Sequence, residues 1–135
     1  ELLCTFNKKN RKSFSDIPLT SPSSALTAWC NDFEFESFFK RQVEAHGKES
    51  DILFLLSTGG GNLTGSKSSA NLVYAAKEAI KKKMKIISLV GKGGGELIKI
   101  SNVCIHVKSQ NTAYIQEAHM SILHCICEII DNGEV

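Results

Sequence analysis

None of the five cysteines stands at Cys-x-x-Cys spacing, and an odd number cannot all pair within one chain. A disulfide framework is therefore excluded. Cys125 and Cys127 would face different directions on a helix, and Cys104 sits in an apolar run. These read as reduced core cysteines of a cytoplasmic protein. No apolar run is long enough to span a bilayer and no signal peptide is visible, so a membrane partner is not expected. Net charge is only +2 across 135 residues. That is too little to argue for nucleic acid, and no helix-turn-helix pattern occurs. The one lysine run, Lys81-Lys82-Lys83, closes a predicted helix, where cations complement the dipole. Internal repeats and low-complexity tracts are missing, as are a Walker A loop and a G-x-G-x-x-G fingerprint.

What remains is the composition of an ordinary globular domain, 42% hydrophobic and 22% charged, of a length that suits one core. The continuous apolar runs Asp51 to Leu56, Lys85 to Val90 and Val103 to Val107 have strand length and are bounded by turns. They read as buried parallel strands. Ile17-Pro18-Leu19-Thr20 reads as a further short strand. Helical spacing predicts a turn over Ser24 to Cys30 and helices over Phe35 to Ala45, Ala70 to Lys83, Glu96 to Ile100 and Thr112 to Ile130. Alternating strands and helices predict an α/β three-layer sandwich, a mainly parallel sheet with helices on both faces. Ligands in such sheets sit beyond the carboxyl ends of the strands.

Two segments carry chemistry. The first is the loop after Leu56, Ser57-Thr58-Gly59-Gly60-Gly61-Asn62 and on to Ser69. Glycines let the backbone approach an anion, hydroxyls donate to it, and the following helix offers free amides and a positive dipole end. The second is the last helix. It places Gln116, His119 and His124 among apolar residues, where an unpaired polar group is costly. Together they point to a sugar-phosphate site.

These segments resemble the phosphosugar isomerase (SIS) domain family, and within it the phosphoheptose isomerases. The family carries Ser-Thr-Ser-Gly-Asn-Ser after a buried strand, where this chain has Ser57 to Asn62. Asn31-Asp32-Phe33-Glu34-Phe35 resembles Asn-Asp-Phe/Tyr-Gly-Phe, and Arg41 to Ala45 matches Arg-Gln-Val-Glu-Ala. Met84 to Gly95 resembles Met-Lys-Val-Ile-Ala-Leu-Thr-Gly-Lys-Asp-Gly-Gly. Most specific is Ile115-Gln116-Glu117-Ala118-His119 with His124, against Ile-Gln-Glu-x-His-x4-His. The resemblance implies a single flavodoxin-like SIS domain over residues 1–135, without the family's N-terminal helix and first strand-loop.

The resemblance also implies an aldose–ketose isomerase, acting on sedoheptulose 7-phosphate in surface heptose synthesis. The alternative is a non-catalytic phosphosugar-binding or replication-initiator-binding protein. Glu1 and His124 would be the acid/base pair. Ser57, Thr58, Ser66 and Ser69 would hold the phosphate, with Ser68 competing for a place. Gly59 and Asn62 stand where a gap-free reading puts two family serines, because this loop is longer. Gln116 would contact substrate or metal. Asn31 and Asp32 would touch sugar hydroxyls or cap the next helix. Glu1, Gln116 and His124 would be zinc ligands, and the assembly a homotetramer with shared sites. Thr5 departs from a family arginine. His119 is left between a supporting and a structural role, Asn111 and Thr112 between capping and substrate contact, and Trp29 is read as packing.

Overall fold

The structure is a computed structural model and describes residues 1–133. Its centre is a three-stranded parallel sheet of β1 (Ile52–Ser57), β2 (Lys85–Val90) and β3 (Val103–His106), in that order. Register runs from Ile52 opposite Lys85 to Ser57 opposite Val90, then from Ile87 opposite Val103 to Val90 opposite His106. The three β-rich apolar runs thus become neighbouring strands, as their lengths predict.

Helices α1 (Ser23–Asp32), α2 (Phe38–His46), α3 (Ala70–Lys81), α4 (Leu97–Ile100) and α5 (Thr112–Asn132) surround this sheet, with a 3-10 turn at Phe35–Ser37. Side chains alternate along each strand. Leu53, Leu55, Ile86 and Val90 point to one face and pack with Val73, Ala76 and Ala79 of α3 and Leu97 of α4 in the main core. Val43 of α2 joins the same core.

The other face is covered only in part. Leu89 and Ile115 of α5 are fully buried, whereas Ile52, Leu56, Val103 and Ile105 are exposed. Ile115 also lies so close to Gly91 that a Cβ there would sit 2.5 Å from its side chain. Asn111 accepts a hydrogen bond from the Ala113 amide and so caps α5.

Three sequence expectations need correction. Ile17 to Thr20 is not a strand: Pro18 lacks an amide hydrogen, and its carbonyl closes a turn with the Ser21 amide. Gln42 of α2 ties this segment down by donating to the Leu19 carbonyl. Asn31 and Asp32 do not cap the helix that follows; they end α1, exposed and bonded to each other. Of the cysteines, Cys127 alone is buried, and Cys4, Cys30 and Cys125 are exposed. Trp29 packs as expected, stacked on Phe33 and donating to Ser37.

A groove of about 590 Å³ runs along β1, between it and the Ser15 to Thr20 segment. Among the described residues β1 pairs with β2 alone. No described helix is long and apolar enough to cross a membrane.

Candidate active site

Ser57 ends β1 and is buried. Its hydroxyl accepts from the Gly60 amide at 3.0 Å and donates to the Ser69 hydroxyl at 3.1 Å. The loop between them turns back through Gly60 and Gly61, at φ +73° and +79°. Side chains disfavour that region, which explains the glycines. Ser69 is itself left-handed, and no side chain caps α3 behind it. The serines that meet are therefore the first and the last of the loop.

Facing them is α5. A cavity of about 490 Å³ is walled by Leu56, Ser57, Thr58 and Ser69 on one side. Gln116, His119, Met120 and Leu123 of α5 wall the other. The 116/119/120/123 spacing is one helical face. Hydroxyls and amides at a strand end, opposed by an amide and an imidazole, suit a small polyhydroxylated anion. The larger groove along β1 includes neither Ser57 nor α5.

His119 gains weight from the structure. It is 4% exposed, and its Nε2 has no hydrogen-bond partner among the described residues. Such an atom is normally satisfied. The sequence signal was its position three residues after Gln116, on the same face.

Glu1 and His124 come together one turn further along α5. Glu1 Oε1 lies 3.6 Å from His124 Nε2, with both side chains about half exposed. The Phe6 ring stacks on the imidazole at 5.9 Å between centroids. The Cys127 thiol is pushed up by burial and by a hydrogen bond to the Glu1 carboxylate. The sequence-predicted residues thus form two adjacent groups: Ser57, Thr58, Ser69 and Gln116 around the cavity, and Glu1 with His124 beside it. His124 does not line the cavity wall in this single chain. Ser66 is exposed on the loop and stands apart from the wall, as do Asn31 and Asp32.

No family model matches the chain. Individual proteins do. A phosphoheptose isomerase of Campylobacter jejuni is 44% identical over 126 residues, covering 93% of this chain and 64% of that protein. The phosphoheptose isomerase of Rhodospirillum rubrum is 37% identical over 125 residues, covering 93% of this chain and 63% of that protein. Among solved structures, a phosphoheptose isomerase from Francisella tularensis superposes with a TM-score of 0.86 at 37% identity. It covers 96% of this chain and 66% of that one. The chain spans just under two thirds of the length of these relatives. Across the part of those proteins that it spans, the chain is similar in sequence and fold to phosphoheptose isomerases.

Proposed function

We propose that the protein carrying this chain interconverts sedoheptulose 7-phosphate and D-glycero-D-manno-heptose 7-phosphate, supplying heptose for bacterial surface polysaccharide. The observation that carries this reading is the 3.6 Å approach of Glu1 to His124, residues from opposite ends of the sequence. Moving a proton between adjacent carbons requires a base at carbon and an acid at oxygen. The Glu1 carboxylate takes the proton from the carbon beside the carbonyl. The His124 imidazole serves the oxygen side of the enediolate, and the same proton returns to the neighbouring carbon. The Ser57, Thr58 and Ser69 hydroxyls hold the phosphate end, and Gln116 orients the sugar between.

Zinc suits the same residues. Two donors of a tetrahedral zinc lie about 3.3 Å apart at metal–ligand distances of ~2.0–2.1 Å. The Glu1–His124 separation of 3.6 Å is close to that. Among the described residues no three His, Cys, Asp or Glu side chains cluster as a metal site. Gln116 lies about 12 Å from His124 along the axis of the same helix, so it would add to the pair only by long side chains converging or from a second subunit. When bound, zinc would polarise the sugar carbonyl. The half-exposed Glu1–His124 pair and the partly bare sheet face support a homotetramer that closes the site from a neighbouring subunit.

The test is an isomerase assay on sedoheptulose 7-phosphate with the full-length protein, with and without chelator. Turnover is expected, and its absence in a well-folded oligomer overturns the reading. Ser69→Ala should raise KM about tenfold with kcat little changed, since a hydrogen bond to a charged group contributes ~1.5–3 kcal/mol. An unchanged KM would remove Ser69 from the phosphate cradle.

A further inference from the structure

Asp131 is a carboxylate that the proposed chemistry does not use, yet it is only 5% exposed. Residues 1–11 form neither helix nor strand. Besides the contacts of Glu1 and Phe6 with His124 and Cys127, three hydrogen bonds fasten them to α5, all at this one side chain. Asp131 Oδ2 accepts from the Asn7 amide at 2.9 Å and the Lys8 amide at 2.7 Å. Asp131 Oδ1 accepts from Nε of Arg11. Burial works against the charge of Asp131, but the bonds from Lys8, Arg11 and Asn7 outweigh it and hold the carboxyl below its ordinary range.

The guanidinium does a second thing. While its Nε holds Asp131, one terminal nitrogen donates to the Glu1 carbonyl at 2.6 Å and the other to the Lys12 carbonyl at 3.0 Å. The plane of the fork fixes these directions relative to one another, which an ammonium could not do. Phe14 lies under the guanidinium at 5.0 Å. Along α5, His124, Cys127 and Asp131 follow at i, i+3 and i+7, one stripe of the helix. The segment 1–11 is thus fastened at Asp131 and delivers Glu1 to Cys127 and His124 further up the stripe.

We propose that Asp131 and Arg11 are positioning residues: together they lock the segment 1–11 onto α5 so that the Glu1 carboxylate meets His124. This rests on the isomerase reading of the Glu1–His124 pair. A purely structural anchor has no need of this chemistry, because a buried ion pair is often no more stabilising than apolar packing. Buried charge with five directed hydrogen bonds supplies direction instead.

The experiment compares Asp131→Asn, Arg11→Gln and the double variant in the full-length protein, by steady-state kinetics and by NMR of carbon-labelled histidine. Kinetically, kcat should fall about tenfold or more, as small misplacements of reacting groups cost up to ~10²-fold. KM for the sugar phosphate should stay within about twofold, because the phosphate wall belongs to other elements. The double variant should be no worse than the worse single one, as expected of residues acting as a unit. In the spectrum, the His124 ring signal should lose the ring-current shift imposed by Phe6. Loss of melting temperature with unchanged kcat and an unchanged His124 signal would overturn the proposal. If the unsubstituted protein shows no turnover, the isomerase reading fails separately. The His124 signal then decides the positioning claim alone, its retention in both single variants overturning it.

Discussion

Replacing His124 with alanine should lower kcat for sedoheptulose 7-phosphate about a thousandfold, leaving competitive inhibition by inorganic phosphate within about twofold of its original strength. General acid–base groups contribute ~10²–10⁴-fold, so a middle value is expected for a residue that has lost its partner as well as its proton. The expected selectivity comes from position. The imidazole sits with Glu1 and Phe6, whereas Ser57, Thr58 and Ser69 wall the cavity from the strand side. Truncating a half-exposed side chain should also cost little stability. Glu1→Gln should give a loss of similar size, and the double variant one no larger than either, since residues that act as a unit are not additive. Retained turnover in His124→Ala would remove the imidazole from the reaction. Lost phosphate inhibition would move it into the anion cradle.

The sheet was legible because each strand is a short apolar run closed by a turn, and burial of β1 and β2 leaves few other places for such runs. Ile17 to Thr20 looked alike, but a strand is defined by a pairing partner, and Pro18 has no amide to offer one. Local pattern cannot state what lies beside a segment. The serine loop shows the same boundary. Composition announced an anion site, and Ser57 and Ser69 do meet at 3.1 Å. Which other hydroxyls would join them depended on a path through left-handed turns, and Ser66 ended outside. The grip of Asp131 on Arg11 spans 120 positions and follows no periodicity. Neither residue could be singled out from the sequence, where the last helix was expected to stop at Ile130, one residue short of Asp131. Family resemblance, by contrast, named Glu1 and His124 together, and their side chains lie 3.6 Å apart, because a motif stores long-range pairing that periodicity does not.

The steepest loss of stability is expected from a single methyl group, in Gly60→Ala. Gly60 has φ +73°, and a Cβ there would lie 1.9 Å from the carbonyl oxygen of Gly94. Gly95 reciprocates, since its Cβ would fall 2.4 Å from the Gly60 carbonyl carbon. The two glycine turns, one after β1 and one after β2, are pressed backbone to backbone. They are also stitched together: the Leu97 amide donates to the Gly60 carbonyl and the Glu96 amide to the Gly61 carbonyl, each at 2.9 Å. A methyl group cannot be absorbed by a side-chain rotation here, because both neighbours are main chain. The turns must part, breaking these bonds and tilting Ser57 away from the Gly60 amide. Overpacking and a strained φ each cost ~1–3 kcal/mol. Together that predicts a melting temperature lower by about 10 °C and a KM raised at least tenfold. Gly59→Ala is the matched control, since a Cβ at Gly59 meets nothing within 4 Å. It should melt within about 2 °C of the original protein. Thermal unfolding of the two variants side by side checks the argument. Equal tolerance would mean that the turns are not locked and that the anion cradle takes its shape from elsewhere, whereas equal damage would assign the effect to general glycine entropy in the loop.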